Sequence, residues 1–154
     1  MEEKLLNSNK RFACETVACC AVAIFLAGCG RVDRLPTVPV EGTVLYRGKP
    51  LEFGNVVFYP QGGGPPASGD IGPDGSFHLA TYGQRDGACI GKHRVEIKCY
   101  ENQRPGFTPP PPKLGEEPNP LGKPLIPSKY MSSAADLQAD VKAEGNAPFV
   151  FDLK

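Results

Sequence analysis

Tryptophan is absent from this chain, and histidine and methionine occur only twice each in 154 residues. Without an indole, any aromatic platform for stacking a sugar must come from tyrosine or phenylalanine. Two histidines, His78 and His93, leave little imidazole for a metal centre. Charge of one sign is missing too: Lys plus Arg and Asp plus Glu stand at 17 each, and the first 28 residues hold three of either sign. That balance speaks against nucleic acid as a partner, because phosphate binding needs a positive surplus on some face. A long apolar run is also lacking. Val17 to Leu26 is ten residues, about 15 Å as a helix, where a bilayer span takes about 20 residues.

Catalytic signatures are equally scarce. No G-x-S-x-G elbow occurs, and Ser68, Ser76, Ser128, Ser132 and Ser133 all sit in turn or loop composition. Gly62-Gly63-Gly64 lacks the lysine and hydroxyl of a phosphate loop, and Pro65-Pro66 interrupts any helix that would follow it. Asp70, Asp74 and Gly75 resemble the start of a calcium loop, yet Gly72 and Thr81 fall where oxygen-rich ligands are needed. Turn chemistry accounts for both acids.

What is present begins at the N-terminus. Lys4, Lys10 and Arg11 precede the apolar run, and the small residues Ala27 and Gly28 follow it, which is the charge, apolar, small-residue order of a secretory signal. Leu26-Ala27-Gly28-Cys29 resembles the bacterial lipobox, in which a lipid is attached to the cysteine before cleavage ahead of it. A thiolate is the nucleophile this chemistry requires. The resemblance implies that Cys29 becomes the first mature residue, carrying a diacylglyceryl thioether and an acyl chain, palmitate for example, on its amine. Two or three chains at about 0.8 kcal/mol per buried CH2 anchor a protein durably where one chain does not. Gly30, rather than Asp, after the anchor implies outer-membrane sorting by the same resemblance.

Removing the signal also removes Cys14, Cys19 and Cys20, and acylation uses Cys29, so Cys89 and Cys99 remain. The segment between them reads as one strand, and ten extended residues would part their Cα atoms by about 30 Å against a disulfide limit near 7 Å. Two buried, reduced thiols are expected.

Glycine (18) and proline (17) are abundant, which favours turns and excludes a helical bundle. From Val38 the pattern is short strands between tight turns. Val40, Val44 and Tyr46 share one face, Arg47-Gly48-Lys49-Pro50 turns the chain, and Leu51 to Tyr59 returns. Ala67 to Ile71 and Phe77 to Thr81 flank Gly72-Pro73-Asp74-Gly75. His93 to Tyr100 places His93, Val95 and Ile97 inward and Arg94, Glu96 and Lys98 outward, while His78 faces out. Nine of the residues from Pro105 to Pro127 are proline, so the stretch 102–130 is an extended excursion, partly polyproline II, with neither helix nor central strand. Leu137 to Val141 and Phe149 to Leu153 close the domain through Glu144-Gly145-Asn146. The sum is an all-β, seven-stranded antiparallel β-sandwich.

The segments VEGTVLYRGKPLEFGNVVFYP, DGSFHLATYGQRDGACIGKHRVEI, IPSKY and LQADVKAEGNAPFVFDL resemble the carboxypeptidase regulatory-like, transthyretin-like domains of small bacterial lipoproteins. The likeness covers Val38 to Leu153 apart from the proline excursion, and its motifs are structural. It implies a prealbumin-like sandwich that accompanies an activity without performing one, so it brings no catalytic residue and no cofactor. The expected organisation is a lipoprotein signal peptide at 1–28, a lipidated tether at 29–37 and the sandwich at 38–154. The expected role is that of a non-enzymatic module of the cell envelope, held by membrane lipid through Cys29, with a structural or protein-interaction task. A second reading is a carbohydrate- or peptide-binding lipoprotein using loops 61–66, 82–88 and 102–130, with Tyr82, Arg85, Tyr100 and Phe107 as ligand contacts.

Overall fold

Alternating apolar residues sort the chain onto two four-stranded sheets that share one core, beside a separate two-stranded pair. The computed structural model describes residues 34–111, 117, 119–132 and 135–154. The signal, the lipobox Leu26 to Cys29 and most of the tether lie outside the described residues. Among the described residues ten strands form: β1 (Thr37–Val38), β2 (Glu41–Tyr46), β3 (Lys49–Pro50), β4 (Asn55–Pro60), β5 (Ala67–Asp70), β6 (Ser76–His78), β7 (Ala88–Cys89), β8 (Gly91–Lys98), β9 (Gln138–Val141) and β10 (Phe149–Leu153). Each of the seven segments read from the sequence overlaps one of them, with ends displaced by up to a few residues. The other three, β1, β3 and β7, are two residues long, too short for alternation to register.

One sheet runs in the order β5-β4-β8-β9, all antiparallel. The other is centred on β2, with β3 and β6 pairing along it antiparallel. Its remaining strand, β10, lies parallel to β2, Phe149 beside Gly42 through Leu153 beside Tyr46. Two corrections follow. The architecture is not purely antiparallel, and the last two strands are not a hairpin, since β9 and β10 belong to different sheets. The linker 142–148 is knotted locally, with Asn146 Oδ1 accepting from Lys142 N at 3.0 Å and Gly145 N donating to Lys142 O at 3.2 Å. Pro148 then lacks the N–H that an immediate ladder would need. Crossing over puts Phe149 and Phe151 against the aromatic core.

The hairpin at Arg47-Gly48 is a two-residue turn, Tyr46 opposite Lys49, with φ of 53° and 76° at its centre. Both positive values are those of a type I′ turn, whose twist matches the strands it joins. Its partner strand is only Lys49–Pro50, after which the chain leaves for the other sheet. Leu51 to Tyr59, expected as the returning strand of this hairpin, instead carries β4 of the other sheet from Asn55 onward.

Phe58, fully buried, ties the sheets together. Its ring centroid lies 6.3 Å from Phe77 and 6.1 Å from Phe151 of the β2 sheet, and 5.7 Å from His93 of its own. Val44, Leu79 and Leu153 from one side and Val56, Val95 and Ile97 from the other complete the packing at zero exposure. Alternation holds along β8 with one exception. Glu96 points outward as expected but is only 5% exposed, because Arg94 (3.2 Å) and Lys98 (3.4 Å), two residues to either side, close over its carboxylate. Arg94 in turn lies 4.8 Å over the Tyr59 ring.

The two poles of the body follow from β8. At its Gly91 end, Gln61 N donates to Lys92 O (2.9 Å), β1 pairs with β7, and β9 ends opposite Gly91. At its other end Leu125 N donates to Cys99 O (2.9 Å), Glu101 N to Lys123 O (2.9 Å), and Tyr100 bridges Pro124. Eight rises from Gly91 to Cys99 set these ends about 26 Å apart. The proline excursion is thus closed at its neck, and it is not wholly irregular: 3-10 turns occupy Glu101–Gln103 and Ser128–Tyr130, and Ile126 is buried in the core. Pro112 to Glu116, part of the proline run, lies outside the described residues.

Phe58→Ala removes the shared contact and leaves a cavity between two sheets that cannot both collapse onto it, so urea denaturation should show a loss of about 3–5 kcal/mol; a loss under about 1 kcal/mol would mean the sheets do not depend on this ring. His93 adds a pH dependence. It is 1% exposed, with Nδ1 donating to Gly91 O at 2.9 Å and Nε2 without a partner among the described residues. Burial holds its pKa below the usual histidine value, against smaller opposing effects of the Gly91 carbonyl and Asp140. The neutral ring is the folded form, so stability is full above about pH 6.5 and falls as acid protonates the unfolded chain first. Urea midpoints should decline from pH 7 to pH 5 in the parent and decline less in His93→Gln; parallel slopes would contradict this.

Candidate functional site

Loop 82–88 is organised by one carboxylate. Asp86 accepts from the backbone of Thr81 (2.8 Å), Tyr82 (2.9 Å) and Gly83 (3.1 Å), and Thr81 Oγ1 donates to Gly87 O (2.7 Å). These N–H donors, Thr81 foremost, hold the Asp86 carboxyl below its ordinary pKa. The loop's shape is demanded by close packing on the chain entering the domain: a Cβ on Gly87, at φ +82°, would collide with the Val38 backbone. Arg85, exposed and also at positive φ (56°), is presented from the rim of this knot.

Two shallow depressions meet at Arg85 and His78. One, about 320 Å³, adds Glu41 and Asn146; the other, about 410 Å³, adds Ser68, Asp70 and Gln84. They come together because β2 and β6 pair Glu41 with His78, whose Nδ1 lies 3.5 Å from Glu41 Oε2. An imidazole and a guanidinium thus stand among amide, hydroxyl and carboxylate groups, a mixture suited to hydrogen-bonding a polar, uncharged or zwitterionic ligand. Sequence reasoning placed His78 on the outside without linking it to Arg85. The link depends on strand register, for which His78 and Glu41 carry no local signal.

The four aromatic and basic contacts expected of a ligand site do not assemble. Tyr82 lies at the pole of loop 61–66, tied to it through Leu35, and Arg85 stands at the depressions beside His78. Tyr100 and Phe107 belong to the excursion at the opposite pole, so the three loops form two surfaces and not one. Tyr82 is also structurally engaged, its hydroxyl accepting the Leu35 N–H at 3.0 Å, which straps the incoming chain onto the body. Tyr100 shapes the neck of the excursion, its N–H donating to Gln103 Oε1 at 2.7 Å. Phe107 is half-buried, its N–H donating to Arg104 O at 3.0 Å.

The remaining chemistry is quiet. Cys89 and Cys99 are free and buried; burial raises both thiols, Cys99 to about 11, far from the thiolate a nucleophile needs. Asp74 accepts from Ser76 Oγ (2.6 Å) and Ser76 N (3.1 Å), bonds that shape the turn before β6 and lower its pKa. His78 and His93 sit on different sheets, one exposed and one in the core, and among the described residues no three His, Cys, Asp or Glu side chains converge as metal ligands. Comparison of the chain with family models, with curated proteins and with solved structures yields no match.

Proposed function

We propose that this chain is a lipid-anchored module of the cell envelope, whose body, a transthyretin-like β-sandwich, has a structural or protein-interaction role without catalysis. The observation that carries the reading is the order basic segment, short apolar run, Leu26-Ala27-Gly28-Cys29, followed within a few residues by an all-β body beginning at Thr37. A thiol at that place is required by lipid attachment and by nothing else in the local pattern. Gly30 after the anchor favours the outer membrane. The absence of a nucleophile elbow from the sequence, and the high pKa of both buried thiols, support a role other than covalent catalysis.

A second reading draws on the paired depressions at His78 and Arg85: recognition of a carbohydrate or a peptide. A glycan array and a peptide pull-down with the anchored chain discriminate, binding that disappears in Arg85→Ala favouring this second reading. For the anchor itself, Cys29→Ser removes the acyl acceptor. Metabolic labelling with a radioactive fatty acid should mark the parent and leave Cys29→Ser blank; an unlabelled parent would overturn the anchored reading.

A further inference from the structure

We propose that the Leu35–Ile90 pole of the body seats directly on the bilayer surface, which turns the proline excursion outward as the surface offered to partners. This rests on the lipid-anchor reading above. Leu35 and Ile90 are each 44% exposed and line one depression of about 310 Å³ together with Pro36, Pro60 and Lys92. They are fixed in place and not trailing: Leu35 N is held by Tyr82, and Leu35 Cδ1 packs over Gly64, where an added Cβ would lie at 2.6 Å.

The occupant of this apolar pole is selected by chain length. Five residues, Gly30 to Arg34, separate Cys29 from Leu35, so six Cα steps confine Leu35 to within about 21 Å of the acylated residue. The other exposed apolar pair, Leu121 (48%) and Leu125 (37%), belongs to the opposite pole, set off by the length of β8, about 26 Å. A body held end-on therefore brings Leu35 and Ile90, and not Leu121 and Leu125, to the headgroup boundary. Arg31 and Arg34 outnumber Asp33 in the tether and add attraction to an anionic leaflet. The patch need not bind lipid strongly alone, because the nearby anchor makes its contact an intramolecular event at high effective concentration.

The missing tryptophan makes the test simple, since one introduced indole is the only such reporter. Ile90→Trp and Leu121→Trp versions of the full chain, Cys29 intact and lipidated, are reconstituted into phosphatidylcholine–phosphatidylglycerol vesicles with and without brominated acyl chains, and vesicle flotation is scored in parallel. Bromine should quench the indole of Ile90→Trp about twofold, as befits a side chain lying about 5–10 Å into the boundary, and leave that of Leu121→Trp unchanged. Equal quenching of both would mean a body lying on its side, and quenching of neither in a chain that floats would leave the anchor standing while overturning the seating. A chain that does not float removes the anchor, and the seating with it.

Discussion

The fold depends on an aromatic contact between sheets. Phe58 meets Phe77 and Phe151 across the core while touching His93 within its own sheet, so a single ring ties residues from β4, β6, β8 and β10. This explains the parallel alignment of β10 on β2, a pairing that antiparallel hairpins alone would not produce. Crossing the chain from β9 to the facing sheet brings Phe149 and Phe151 to the Phe58 ring, where Phe149 stands edge-on at 5.8 Å. Buried aromatic area is the gain, and the irregular linker 142–148 is what it requires.

Once the sheets are clasped, β8 sets the geometry of function. It is the longest strand, and it separates the entry of the chain from the neck of the excursion. Everything tied to the entering segment, the Asp86 knot, the Tyr82 strap and the glycine loop, gathers at one end. The neck of the proline excursion is at the other, where Tyr100 meets Pro124. A body with distinct ends suits a protein fastened at one point. On the proposed anchoring, the end near Cys29 would be constrained by the short tether, and the other would project residues whose proline content limits the entropy lost on binding.

Much of this architecture was legible in the residues. Alternation located seven strand segments, the glycine-bearing turn at Arg47-Gly48 announced its hairpin, and Val95 and Ile97 placed His93 inside with Cys99. What escaped was non-local. No residue in Phe149 to Leu153 records whether its neighbour is β9 or β2, because an inward-facing phenylalanine packs equally well from either arrangement. Parity places Glu96 outward, but it does not show that a carboxylate flanked two residues away by Arg94 and Lys98 is covered by their long side chains. The candidate contacts suffered most. Tyr82, Arg85, Tyr100 and Phe107 share only loop composition, which says nothing about which end of a sheet a loop occupies. Tyr82 proved to be a strap because its hydroxyl answers an orphan N–H of the entering chain, a need visible only in three dimensions.

The central claim is chemical: the thiol at position 29 is acylated, and the short stretch beyond it presents an all-β body at a membrane. Intact mass spectrometry of the protein from its native envelope, with sequencing of its N-terminal peptide, tests this most directly. The account predicts a chain beginning at Cys29 that carries a diacylglyceryl group on sulfur and an acyl group on nitrogen. A mature chain that begins elsewhere, or one that begins at an unmodified Cys29, would contradict it.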